Sequence, residues 1–129
     1  MPEYRISDAE WIILQAIWDQ YPVTSENVVK RLKGKADWHE RTIKTMIHRL
    51  VRKGVLAFRK DGKRYLYSPK VSRKTCLRQA SRSFLKRVFG GAAAPAILHI
   101  VEEAKLSPAE IERLKLVLRE KVEKGKAER

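Results

Sequence analysis

The chain has 129 residues, 43% of them hydrophobic, and a formal charge of +14 from 29 Lys and Arg against 15 Asp and Glu. That length suits one ordinary domain or two small units, and the apolar share excludes a disordered basic tail. No apolar run approaches the roughly 20 residues that span a bilayer, residues 1–5 lack a leader pattern, and a lone Cys76 excludes an intrachain disulfide, so the expected setting is the cytoplasm.

Ser7-Asp-Ala-Glu10 is a capping box, with Ile6 and Trp11 at its staple positions. The helix it opens runs to about Asp19, with Trp11, Leu14, Ile17 and Trp18 on one face, and Pro22 closes it. Thr24 or Ser25 caps a shorter second helix that carries Val28, Val29 and Leu32 and stops near Gly34. His39 stands near the N-cap of a third helix whose inward stripe is Ile43, Met46, Ile47, Leu50 and Val51. Gly54 occupies the left-handed position after it. Strands over 55–60 and 63–68 follow, joined by Asp61-Gly62 as a type I′ hairpin turn, and Pro69 ends the unit.

The second half reads as helical. An apolar face over 72–89 comprises Leu77, Ala80, Phe84, Leu85 and Val88; Gly90-Gly91 breaks the chain, and Pro95 can open a short helix through Ala104. Ser107-Pro-Ala-Glu110 is a second capping box, and Ile111, Leu114, Val117, Leu118 and Val122 line the helix behind it. These faces exceed what fewer than 60 residues can cover internally, so pairing with a second copy is expected.

The charge is uneven. Residues 1–38 carry net −1, residues 39–70 carry +8 with Glu40 and Asp61 as their acids, residues 71–90 carry +6, and residues 91–129 carry +1. A basic helix followed at once by a basic ribbon is the layout of a winged helix-turn-helix, in which the helix enters a DNA major groove. With the apolar stripe inward, Arg41, Lys44, Thr45 and His48 face outward and Thr42 lies at the border, where they are candidates to read base edges. Arg52, Arg59, Lys60, Lys63 and Arg64 are candidates for the phosphate backbone, which sets affinity and register. Solvation is the default for any one such cation; the conjunction of helix, ribbon and scarce acids favours DNA. Trp11, Trp18, Trp38, Tyr65 and Tyr67 are expected to pack on the helices rather than stack on bases. The stripe Lys74, Arg78, Arg82 and Lys86 is either solvated or, in a dimer, beside the duplex. His39, His48, His99 and Cys76 fit neither a zinc pair nor a catalytic triad, and there is no phosphate-cradling glycine loop, so no enzyme, cofactor or metal is expected.

The segments Ile6-Ser-Asp-Ala-Glu-Trp11 with Trp18, Trp38…Arg41-Thr-Ile-Lys-Thr45, Arg49-Leu-Val-Arg-Lys-Gly54, Tyr65…Tyr67-Ser-Pro69, Ser83-Phe-Leu…Phe89-Gly-Gly91 and Leu106-Ser…Glu110 together resemble the penicillinase-repressor family (the BlaI/MecI/CopY group). The resemblance implies a bacterial transcriptional repressor: a mostly α homodimer with a winged helix-turn-helix over 1–70, a three-helix dimerisation domain over 71–124, and a palindromic operator. A disordered tail is expected over 125–129. The resemblance puts Arg41, Thr42, Lys44 and Thr45 at the groove, and Leu77, Phe84, Leu85, Val88, Ile97, Ile100, Ile111, Leu114 and Leu118 in the dimer core. It also raises an upstream sensor protein as a partner. Antibiotic-responsive members are released by cleavage at an Asn-Phe pair; His99-Ile100 stands at that place here, and the Cys-x-Cys motifs of copper-responsive members are missing. The alternative is a basic nucleic-acid-binding protein, architectural or RNA-associated, with no sequence preference.

Overall fold

A computed structural model describes residues 3–128. Its elements, in chain order, are α1 (Asp8–Asp19), α2 (Ser25–Leu32), α3 (Glu40–Arg52), β1 (Leu56–Asp61), β2 (Arg64–Pro69), α4 (Arg73–Phe89), α5 (Ala93–Glu103) and α6 (Pro108–Ala127). The contact pattern divides the chain into two compact units, one through Ser83 and one from Phe84 onward.

In the first unit, local chemistry starts and stops each helix. The Glu10 amide donates to Ser7 Oγ at 3.2 Å and the Ser7 amide to Glu10 Oε1 at 2.9 Å, which completes the capping box of α1. The far end of α1 is satisfied from outside: the Arg31 guanidinium donates to the carbonyls of Ala16 (2.7 Å) and Gln20 (2.9 Å), which have no intrahelical partner. Thr24 caps α2 by accepting from the Asn27 amide, and His39 caps α3 through Nδ1, which accepts from the Arg41 amide at 3.0 Å. At the end of α3 the Gly54 amide bonds to Val51 O and the Val55 amide to Leu50 O, with Gly54 at φ +81°. That is a Schellman closure, and it turns the chain straight into the wing.

The wing pairs Leu56 with Pro69 through Asp61 with Arg64 in antiparallel register. Its two-residue loop is therefore Gly62-Lys63, not the expected Asp61-Gly62. Gly62 has φ +66° and no described non-glycine residue has positive φ, so the turn is of the II′ kind rather than I′. Val23 forms a single antiparallel bridge to the other edge of β2 through paired bonds with Tyr67 of 3.0 and 2.8 Å. The core comprises Ile13, Leu14, Ile17, Val23, Val28, Leu32, Ile43, Met46, Ile47, Leu50, Val55, Leu56, Tyr67 and Cys76. Val51, expected inside, is half-buried at its edge. The unit extends past residue 70 because α4 is held to it: Cys76 is buried, and the Tyr4 amide donates to Gln79 Oε1 at 3.1 Å.

The second unit holds the end of α4 with α5 and α6. Gly90 (φ +59°) and Gly91 (φ +89°) make the break. Pro95 is the third residue of α5 rather than its first, still inside the turn where its missing N–H has no intrahelical acceptor to lose. Ser107 and Glu110 form the second capping box, with Pro108 opening α6. This helix continues to Ala127, through residues where a tail was expected. Gly125 is tolerated, and Lys126 lies 3.7 Å from Glu123 one turn back. Ala96 is the one described residue from Phe84 onward that is buried, while α5 and α6 expose a long series of Ile, Leu and Val side chains.

One partly buried ion pair clamps the end of α3 to α1. Glu10 is 2% exposed, and its Oε1 accepts from Lys53 Nζ at 2.7 Å; the same ammonium donates to the Arg5 carbonyl at 2.6 Å. Burial pushes the Glu10 carboxyl up, but the Lys53 hydrogen bond and the Ser7 amide and hydroxyl outweigh it and leave it below the ordinary glutamate value. A carboxyl depressed in the folded state stabilises above its unfolded value, and that stabilisation disappears as pH falls through the folded one. Glu10→Gln should lower stability near pH 7 by about 1.5–3 kcal/mol, the range for a hydrogen bond to a charged group. In denaturant titrations the gap from the parent should close as pH falls below the glutamate range; a gap independent of pH would contradict the clamp.

Candidate nucleic-acid interface

The direction of the α3 side chains follows from what the helix buries. Ile43, Met46, Ile47 and Leu50 recur at i, i+3, i+4 and i+7 and enter the core. The same rotation leaves Arg41, Thr42, Thr45, His48 and Arg52 exposed. Thr45 Oγ1 donates to the Arg41 carbonyl at 2.9 Å, which occupies its proton and leaves a methyl and a lone pair for a partner.

Lys44 differs from these neighbours. Its ammonium lies 3.1 Å from Glu40 Oε1 and 3.8 Å from Glu26 Oε1, so it is held by two carboxylates on two helices. The Glu40 hydrogen bond and charge, with a smaller share from Glu26, raise its pKa. Glu26 is lowered, first by its own backbone amide and also by the charges of Lys44 and Arg64. Sequence reading missed Glu26: it sits outside the basic block, and no local signal marks an acid in the first turn of α2 as a neighbour of α3.

On the wing, Arg59, Lys60, Lys63 and Arg64 are all exposed. Register puts Phe58, Lys60, Tyr65 and Tyr67 on one face and Arg59, Asp61, Arg64 and Leu66 on the other, with Lys63 in the turn. Arg64 Nη2 is 3.7 Å from Asp61 Oδ2. Among the described residues, Arg41, Arg52, Arg59, Lys60 and Lys63 form no ion pair within 4.0 Å, which leaves them available to an anion. Tyr67 is buried as expected, and its phenol is raised chiefly by that burial, with the Glu26 charge contributing. Tyr65 departs from expectation: it is 46% exposed and meets Phe58, 54% exposed, edge to face at 5.4 Å. The aromatic face therefore continues past the buried Tyr67 into solvent.

Trp11 and Trp18 pack against each other at 5.7 Å, and the Trp18 indole donates to the Val71 carbonyl at 3.3 Å. Of the residues expected in a dimer core, Leu77, Phe84, Val88, Ile97, Ile100, Ile111, Leu114 and Leu118 are exposed and Leu85 is half-buried. No group of three His, Cys, Asp or Glu among the described residues could hold a metal ion, and no single described helix is long and apolar enough to cross a membrane.

The family model described as penicillinase repressor matches residues 6–120. The penicillinase repressor of Bacillus licheniformis is 34% identical over 116 residues, covering 90% of this chain and 91% of that protein. The methicillin resistance regulatory protein MecI of Staphylococcus aureus (strain N315) is 33% identical over 118 residues, covering 92% and 96%. Among solved structures, the DNA-binding domain of the repressor BlaI aligns with a TM-score of 0.52 at 33% identity, over 56% of this chain and 88% of that one. The monomeric form of Bacillus licheniformis BlaI, solved in complex with the blaP half-operator, aligns with a TM-score of 0.50 at 33% identity, over 57% and 89%. With the family pattern matched from the first helix into the last, and a basic helix and wing where a DNA-binding repressor needs them, the chain belongs to the penicillinase repressor family of transcriptional repressors.

Proposed function

We propose that the chain acts as a homodimer that occludes a promoter. Residues 1–70 would read one half of a palindromic operator, and residues 71–124 would pair with a second copy. Each α3 would enter a major groove, with half-sites about one helical turn apart. In the groove, Arg41 and Lys44 donate to guanine O6 and N7, Thr42 and Thr45 meet thymine methyls or phosphate, and His48 reaches the adjoining edge. Arg52, Arg59, Lys60, Lys63 and Arg64 grip phosphates, which fixes register without reading sequence. The observation that carries this reading is the split of α3 into a buried apolar stripe and an exposed, largely unpaired cationic face. The half-operator bound by the BlaI relative supports it, since that protein aligns over 57% of this chain at 33% identity.

The pairing rests on the exposed apolar surface of the second unit. Phe84, Ile97, Ile100, Ile111, Leu114 and Leu118 are uncovered, and a symmetric partner is the simplest way to remove them from water. A symmetric protein then calls for a symmetric operator. A chain that reads DNA in this way would work in the cytoplasm.

Duplexes selected from a random pool by the full chain should converge on an inverted repeat; recovery of unrelated sequences would favour the non-specific alternative. On the selected operator, Arg41→Ala should cost about 1–3 kcal/mol relative to its effect on random duplex, the value of a bidentate base contact. Lys63→Ala should weaken both duplexes alike and reduce the salt slope by about 0.9. Equal losses on both duplexes for both variants would remove Arg41 from the groove. Phe84→Asp should sediment as a monomer and bind the operator about 100-fold more weakly, because two linked reading heads lose their avidity. A dimer of undiminished affinity would contradict the pairing surface.

A further inference from the structure

The cationic face has an acid built into it that its own helix does not require at that reach. Glu26 stands in the first turn of α2, a turn already capped by the Thr24 side chain. Its carboxylate nevertheless lies 3.8 Å from Lys44 Nζ on α3, and the Arg64 charge on the wing acts on it as well. Glu40, one turn back on α3, takes the same ammonium at 3.1 Å. An acid of α2 thus joins one of α3 in a negative centre beside the two elements that the proposed function brings to DNA, at the cation nearest the middle of the recognition helix.

We infer that Glu26, together with Glu40, acts as an internal counter-ion for Lys44 and sets the specificity of DNA binding. The inference rests on the DNA-reading role proposed above and adds a residue to it. A phosphate that would recruit Lys44 must compete with two carboxylates already in place, and it meets their repulsion as it approaches. Sequence-independent complexes are held almost wholly by phosphate contacts. Keeping one cation out of that pool weakens them directly. At the operator, base-edge acceptors offer Lys44 a directed partner, and the other base contacts hold the duplex in register while the ammonium exchanges partners. The clasp therefore costs unrelated DNA more than it costs the operator. This is specificity gained by penalising the wrong partner.

The distinguishing variant is Glu26→Gln in the full chain, which keeps shape and hydrogen-bonding capacity while removing charge. Titrations should be run on the selected operator and on an unrelated duplex across a salt series, beside Lys44→Gln and the double variant, with thermal melts to establish folding. Glu26→Gln should tighten binding to the unrelated duplex by about 2- to 5-fold, the size of effect an exposed ion pair carries. It should tighten the operator less, so that the specificity ratio falls. The salt slope on unrelated duplex should steepen by at most about 0.9, the value for one more phosphate fully neutralised, because Glu40 still holds Lys44 at 3.1 Å. In the Lys44→Gln background the same substitution should leave the ratio unchanged. Equal tightening of both duplexes, or a shifted ratio that persists without Lys44, overturns the inference while the DNA-reading role stands. A parent protein that binds no duplex removes both.

Discussion

Burial of one side of α3 is the constraint from which the rest of the interface follows. Ile43, Met46, Ile47 and Leu50 each enter the core, and each is worth about 1.5–3 kcal/mol once out of water. No surface charge competes with that sum, so the apolar stripe fixes the rotation of the helix and the outward set is determined by difference. The two ends of α3 are fixed as well. His39 caps its start, while the Schellman closure and the Glu10–Lys53 clamp hold its finish against α1. A helix held at both ends and along one side presents its remaining face with little freedom, which is what reading base edges requires.

Electrostatics act on this frame at a second level. The excess positive charge of residues 39–70 is spread over a helix and a ribbon, and the fold adjusts which cations remain available. Lys44 is drawn to Glu40 and Glu26, Arg64 to Asp61 and Lys53 to Glu10, whereas Arg41, Arg52, Arg59, Lys60 and Lys63 stay open to an anion. Net charge therefore overstates the strength of the DNA-facing surface. Arg31 makes the same point in another way: it is formally one more cation, yet it serves as the C-terminal cap of α1.

What was legible in the sequence was local. Capping boxes at Ser7 and Ser107, the glycine after α3 and the 3.6-residue stripe within it are set by neighbours a few residues away, and apart from the half-buried Val51 they appear where expected. The hairpin loop was displaced by one residue because Asp61-Gly62 suits a turn locally. The ladder instead registers Tyr67 against both Phe58 and Val23, and that pairing forces Asp61 opposite Arg64. Tyr65 shares a strand face with Tyr67, but burial depends on whether a helix lies beneath, which alternation alone does not tell. The last turns of α6 looked like a solvated tail by composition, although one glycine among Lys and Glu costs a helix only about 1 kcal/mol. Glu26 was invisible because its partner is on another helix. The groove-facing set could be read from periodicity; the acid that tempers it required the packing of α2 against α3.

The central claim is that the exposed face of α3, with the wing beside it, is the surface that meets the duplex. Amide chemical shifts followed while a selected operator duplex is added would test it directly. The account predicts that perturbations concentrate at residues 41–48 and 59–64, with Ile13 and Leu14 of the core little changed. Perturbations centred on the basic stripe of α4, from Lys74 to Lys86, with α3 unmoved, would contradict it.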